Sequence, residues 1–179
     1  MKSYNSNCLF IAVLVSLCFY ITGCSNRQDR IEVAVRNLIG KEFGADALKP
    51  DSTCDFTIIR YIDNPACTSC QLKLGQWRVF MKGLQKRSES ITRLYFFVDT
   101  DNPKEVIKML DMYGMANNCT IDSLSGLRKR LNIDAALGKD VVLLLDSTNC
   151  VLALGNPCED PYIEGLYNNI ISHTPGFIR

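Results

Sequence analysis

Apolar and polar positions change period several times along this chain, and each change marks an element. "DFTIIRYI" (55–62) is dense in β-branched and aromatic residues and predicts a buried strand. Beyond it, Cys70, Leu74, Trp77, Met81 and Leu84 recur at helical spacing and predict one long helix, with Cys70 on its core face. "ITRLYFFVD" (91–99) predicts a second strand. "DNPKEVIKMLDMYGM" (101–115) predicts a helix opened by Pro103, with Val106, Ile107, Leu110 and Tyr113 on one side. "CTID" reads as a short strand and "SLSGLRKRLNI" as a short helix. "DVVLLLD" (140–146) and "CVLALG" (150–155) flank "STN" as a hairpin. "DPYIEGLYNNIIS" (160–172) is a final helix with Ile163, Leu166, Tyr167 and Ile170 inward. This order implies an α/β fold, a mixed sheet with helices on both faces.

The beginning of the chain follows a different pattern. Met1 and Lys2 precede an apolar run over 8–21, too short to span a bilayer comfortably, and then "ITGC". These features predict a secretory signal. "ITGC" also resembles the lipobox of bacterial lipoproteins, which implies a signal peptide over 1–23 and a lipid, palmitate included, on Cys24. The alternative is a plain signal with an incidental cysteine. Polar "SNRQDR" then reads as a short tether, and "IEVAVRNLIGKEF" as a helix ended by Gly40. The lipidated tether and leading helix thus occupy 24–38, the main domain 39–172 and a tail 173–179.

Export changes the chemistry open to the cysteines, because disulfides persist outside the cytoplasm. Lys2 is the one charge before Cys24, so what remains balances 19 Lys+Arg against 19 Asp+Glu. A balanced chain without long basic runs argues against nucleic acid as a partner. Cys67 and Cys70, in "CTSC", fall where the first strand ends and a helix begins. A thiolate at a helix N-terminus is stabilised by free N–H groups and the helix dipole. That placement suits Cys67 as an attacking thiol and a sheltered Cys70 as the resolving thiol. A static structural disulfide is the plainer reading. Metal is disfavoured, since zinc takes four ligands and "CTSC" has no second CxxC to join it.

"FTIIRYIDNPACTSCQLKL" followed by Trp77 resembles the strand–CxxC–helix centre of thioredoxin-like proteins. The run from "IGKEF" through "CTSC", Trp77, "LLLD" and "LGNP" to "GLY" is similar to a set of thioredoxin-like bacterial lipoproteins. The resemblance implies a four-stranded core in the order 2-1-3-4, with strand 3 antiparallel to its neighbours. It further implies a membrane-anchored thiol-disulfide oxidoreductase working through Cys67 and Cys70, without cofactor or metal, on an exported protein or redox partner. Two features depart from that pattern. The cis-proline expected just before the third core strand would fall near Lys139–Asp140, where there is none, and Ala66 replaces the tryptophan that usually precedes the first cysteine. The competing expectation is therefore a non-catalytic thioredoxin-like binding module.

The remaining candidates have plainer readings. Trp77 reads as core, and His173 as a solvated tail residue. Asp63 and Asp99 end core strands and read as turn or cap residues rather than proton acceptors. "RKR" (128–130) reads as a solvated helix face. Cys150 and Cys158 read as packed thiols, with a second disulfide among Cys54, Cys119, Cys150 and Cys158 left open.

Overall fold

The computed structural model describes residues 27–44, 48, 53–64, 68–123 and 126–173. The signal peptide, Cys24, Ala66 and Cys67 lie outside the described residues. Strand β1 (Phe56–Asp63) lies at the centre of a five-stranded sheet. Parallel to it runs β2 (Thr92–Asp99), and beyond that β3 (Cys119–Asp122), also parallel. On the other side β4 (Asp140–Asp146) pairs antiparallel, followed by β5 (Val151–Leu154). The sheet order is β3-β2-β1-β4-β5. The four expected strands keep their mutual order, but the sheet has five, because the short "CTID" segment pairs with β2 and extends that edge. β1 is central because nearly every residue in it is buried, as a strand covered on both faces requires.

Alternation along the strands sorts the core into two layers. Phe56, Ile58 and Ile62 of β1 face a cluster containing Trp77, Leu84, Val106 and Tyr167. Those come from helices α3 (Leu74–Arg87), α4 (Pro103–Met112) and α6 (Pro161–His173). Ile59 and Tyr61 face the opposite cluster, with Phe43, Leu48, Leu127 and Ile133, in which α5 (Leu127–Arg130) takes part. The leading helix α1 covers 27–38, and Ala34 is its most buried residue. Residues 27–30 of the expected tether are thus already helical and exposed. After Gly40, at φ 75°, residues 40–43 run along β5: Gly40 N–H donates to Val151 O at 2.8 Å and Val151 N–H to Lys41 O at 2.9 Å. That added run covers an otherwise open sheet edge.

Two helical expectations need correction. Ile107 is 49% exposed, because α4 turns only its Val106 and Leu110 line into the core. The long helix expected after the CxxC is two helices, α2 (Thr68–Leu72) and α3, broken at Lys73. Lys73 adopts the left-handed conformation at φ 45° and ψ 36°, which costs an L-residue with a β-carbon about 1 kcal/mol. The break rotates the first turn relative to the second. Leu72 and Leu74 then point into the core and Cys70 is exposed, not sheltered on the core face.

Candidate thiol site

The carboxyl end of the central strand leads toward the short helix that bears Cys70. β1 ends at Asp63, Asn64 follows at φ 44°, and α2 starts at Thr68. Cys70 is exposed on this five-residue helix. The loop entering β4 is fixed beside the same strand end, since Asp63 N–H donates to Lys139 O at 2.8 Å. Among the described residues there is no cis peptide bond, so the Lys139–Asp140 junction is an ordinary trans entry into β4.

Arg60 occupies the centre of this arrangement, and the sequence reading passed over it. It points into the α3 and α6 layer with no exposed surface at all. Its Nη1 donates to Leu72 O at 2.6 Å and its Nη2 to Gln71 O at 2.5 Å. Nε and Nη2 also donate to the two carboxylate oxygens of Asp140, at 3.1 and 2.6 Å. The guanidinium lies 5.7 Å from the Trp77 ring centroid, within cation–π range. A helix end leaves its last carbonyls without helical partners, and the break at Lys73 creates such an end inside the protein. Arg60 supplies the missing donors. The signal for it was available: a guanidinium in the middle of "TIIRYI" must find partners if the strand is buried.

The opposite layer holds an anion. Asp99 is 1% exposed and accepts hydrogen bonds from Tyr61 OH (2.8 Å), Leu127 N–H (3.1 Å) and Arg128 N–H (3.3 Å). Burial pushes the Tyr61 phenol well above its ordinary value, and the neighbouring Asp99 pushes it further the same way. Asp99 is thus a cap for the start of α5. Asp63 faces Arg128 at 3.8 Å. Arg128 is not a solvated helix residue: it donates to Asp134 O and Gly138 O and lies over the Tyr61 ring, bracing the loop that enters β4. Lys129 and Arg130 are exposed, Arg130 pairing with Asp122 at 2.9 Å.

The "LGNP" and "GLY" segments meet each other beside α3. Gly155 sits at φ +129°, and a β-carbon there would lie 3.0 Å from the Ile163 side chain, so any other residue would be strained. Tyr167 OH donates to Gly155 O at 3.0 Å, and Asn156 Oδ1 accepts Cys158 N–H at 3.0 Å. Cys158 thereby lines a groove of about 420 Å³ with Gly75, Gln76, Val79, Phe80 and Glu164. Burial pushes its thiol up to about 11; the Arg60 charge opposes this, while Glu159 and Glu164 reinforce it. Next to Cys158 in sequence, Glu159 Oε1 pairs with Lys73 Nζ at 2.6 Å.

The other sequence candidates are placed as follows. Trp77 is fully buried, edge-on to Phe80. His173 is exposed, its Nδ1 3.0 Å from Asn169 O. Cys119, Cys150 and Cys158 are thiols, so no bridge joins the group of four, and Cys54 is buried. Among the described residues no three His, Cys, Asp or Glu side chains converge as a metal site would require. No helix of the described residues is long and apolar enough to cross a membrane.

No protein-family model matches the chain. No curated protein matches it in sequence. Solved structures do. The thioredoxin domain of a thiol-disulfide oxidoreductase from Bacteroides vulgatus superposes with a TM-score of 0.51 at 9% identity, over 68% of this chain and 83% of that one. A thiol:disulfide interchange protein from Bacteroides sp. gives 0.51 at 11% identity, over 73% of this chain and 82% of that one. With the central parallel pair, the antiparallel hairpin and the flanking helices, these likenesses establish that the chain has a thioredoxin-like α/β fold.

Proposed function

We propose that this protein is a thiol-disulfide oxidoreductase of the bacterial cell envelope, anchored by lipid on Cys24 and working on exported proteins through Cys67 and Cys70. The observation that carries the reading is the exposure of Cys70 on the short helix following the central strand of a thioredoxin-like sheet. A thiol there is reachable by a disulfide on another protein. The descriptions of the two structural neighbours as a thiol-disulfide oxidoreductase and an interchange protein support the same chemistry.

In this mechanism the Cys67 thiolate attacks one sulfur of a substrate disulfide, forming a mixed disulfide and releasing one substrate thiolate. The Cys70 thiolate then attacks Cys67 Sγ. The Cys67–Cys70 bond forms and the second substrate thiolate leaves, so the substrate gains two electrons and the pair loses two. A dithiol donor in the envelope restores the pair. Since Cys70 is exposed, its role as resolving thiol rests on its position three residues after Cys67 and not on shelter from solvent.

Alkylation of the reduced protein, mapped by mass spectrometry, tests the assignment. Cys67 should react first, and a Cys70→Ser variant should accumulate mixed disulfides through Cys67. A pair that neither oxidises nor reduces in glutathione buffers would overturn the enzyme and leave a binding module. A Cys24→Ser variant should leave the membrane fraction; full retention there would remove the lipid anchor from the proposal.

A further inference from the structure

We infer that Arg60 is a positioning residue of the thiol site, tying the carbonyl end of the thiol-bearing helix to Asp140 at the mouth of β4. It rests on the dithiol reading for its catalytic meaning, but not for its geometry. Four hydrogen bonds from one guanidinium converge there, two to α2 and two to the Asp140 carboxylate. Gln71 follows Cys70 directly, so the buried guanidinium is bonded to the backbone of the residue next to the exposed cysteine. Asp140 opens β4, so the charged bridge joins the start of that strand to the carbonyl end of α2. No arrangement of neutral side chains would serve two carbonyls and a carboxylate with a single planar fork.

The bridge has a signed consequence. The Arg60 charge favours a thiolate on α2, and the Asp140 charge opposes it. Of the other charged groups, Lys73 is paired with Glu159, and α4, which packs against α2, carries Lys104, Glu105, Lys108 and Asp111, two of each sign; Cys158 is held protonated at neutral pH, and none of these is altered in either variant. Removing the cation and removing the anion should therefore move the Cys70 thiol in opposite directions. Loss of packing alone would move both variants the same way.

The test follows the rate of iodoacetamide alkylation at Cys70 against pH, in the reduced full chain, by peptide mass spectrometry. Arg60→Met should slow alkylation at neutral pH about tenfold, the change that follows when loss of a neighbouring charge moves a thiol's ionisation by one pH unit. Arg60→Lys should restore most of that rate, and Asp140→Asn should exceed the parent. Shifts of the same sign in Arg60→Met and Asp140→Asn would overturn the inference, as would an unchanged rate in a folded Arg60→Met protein. If Arg60→Met does not fold, Asp140→Asn decides alone, and a rate equal to or below the parent overturns it. A parent protein whose Cys67–Cys70 pair does not equilibrate with glutathione, yet whose Cys70 shows the opposed shifts, would end the oxidoreductase reading and leave the positioning role standing.

Discussion

Arg60 and Tyr61 are consecutive on β1, yet they open onto two buried polar clusters of opposite sign. On one face, a cation serves acceptors: the Gln71 and Leu72 carbonyls and the Asp140 carboxylate. On the other, an anion serves donors: the Tyr61 hydroxyl and the Leu127 and Arg128 amides at the start of α5. In both cases a helix end lies against the sheet, and the buried charge matches the unpaired groups that end presents. The difference is in what lies beyond. The anionic cluster is closed over by Arg128 and the loop it braces, while the cationic one borders an exposed cysteine and a groove. The first is built for stability. The second lies against the carbonyl end of the helix that bears Cys70.

Truncating each charge breaks the comparison most directly. Asp99→Ala should cost about 4 kcal/mol of unfolding free energy, since Tyr61 OH and two amides lose their acceptor inside the protein. Arg60→Met should cost less, about 2 kcal/mol, because the Asp140 side chain is 40% exposed and can return to water. Urea unfolding of both variants checks the order, and equal losses would mean that the two clusters are equally closed.

A smaller effect comes from the groove wall. Gly155→Ala should lose about 2 kcal/mol, through the strained φ of +129° and the 3.0 Å approach of Ile163. The same substitution at Gly165, where a β-carbon meets nothing within 4 Å, should be neutral or stabilising in the same assay.

The smallest expected effect is alkaline. Cys158 is raised from 9.0 to about 11, so the folded protein holds that proton more tightly than the unfolded chain. Its contribution is complete below about pH 9 and is lost as pH climbs toward 11. Tyr61 and Tyr167 are raised as well and add to the decline above the ordinary tyrosine range. Thermal unfolding between pH 8 and 11 should therefore fall less steeply in Cys158→Ser than in the parent, and identical slopes would remove Cys158 from the pH dependence.

The strands and the outer helices were legible because their burial follows from local periodicity. "FTIIRYI" could only be central, and the order of elements already implied a parallel pair followed by a hairpin. Asn102 with Pro103, and Asp146 before the hairpin turn, are local devices readable from a few residues. The CxxC position was equally plain as a motif, but not the surroundings of its second cysteine. A regular spacing from Cys70 to Leu84 predicted an unbroken helix, and nothing in "QLKLG" marks Lys73 as left-handed.

The chain's own sequence determined which segments are buried, because side-chain hydrophobicity and two simple periods act between near neighbours. The tertiary structure alone decided that α2 stops at Lys73, that Cys70 faces outward and that Arg60 and Asp140 meet across eighty positions of sequence. Those outcomes depend on satisfying a helix end inside a packed interior, and the partner that does so is supplied by the sheet, not by the residues beside it.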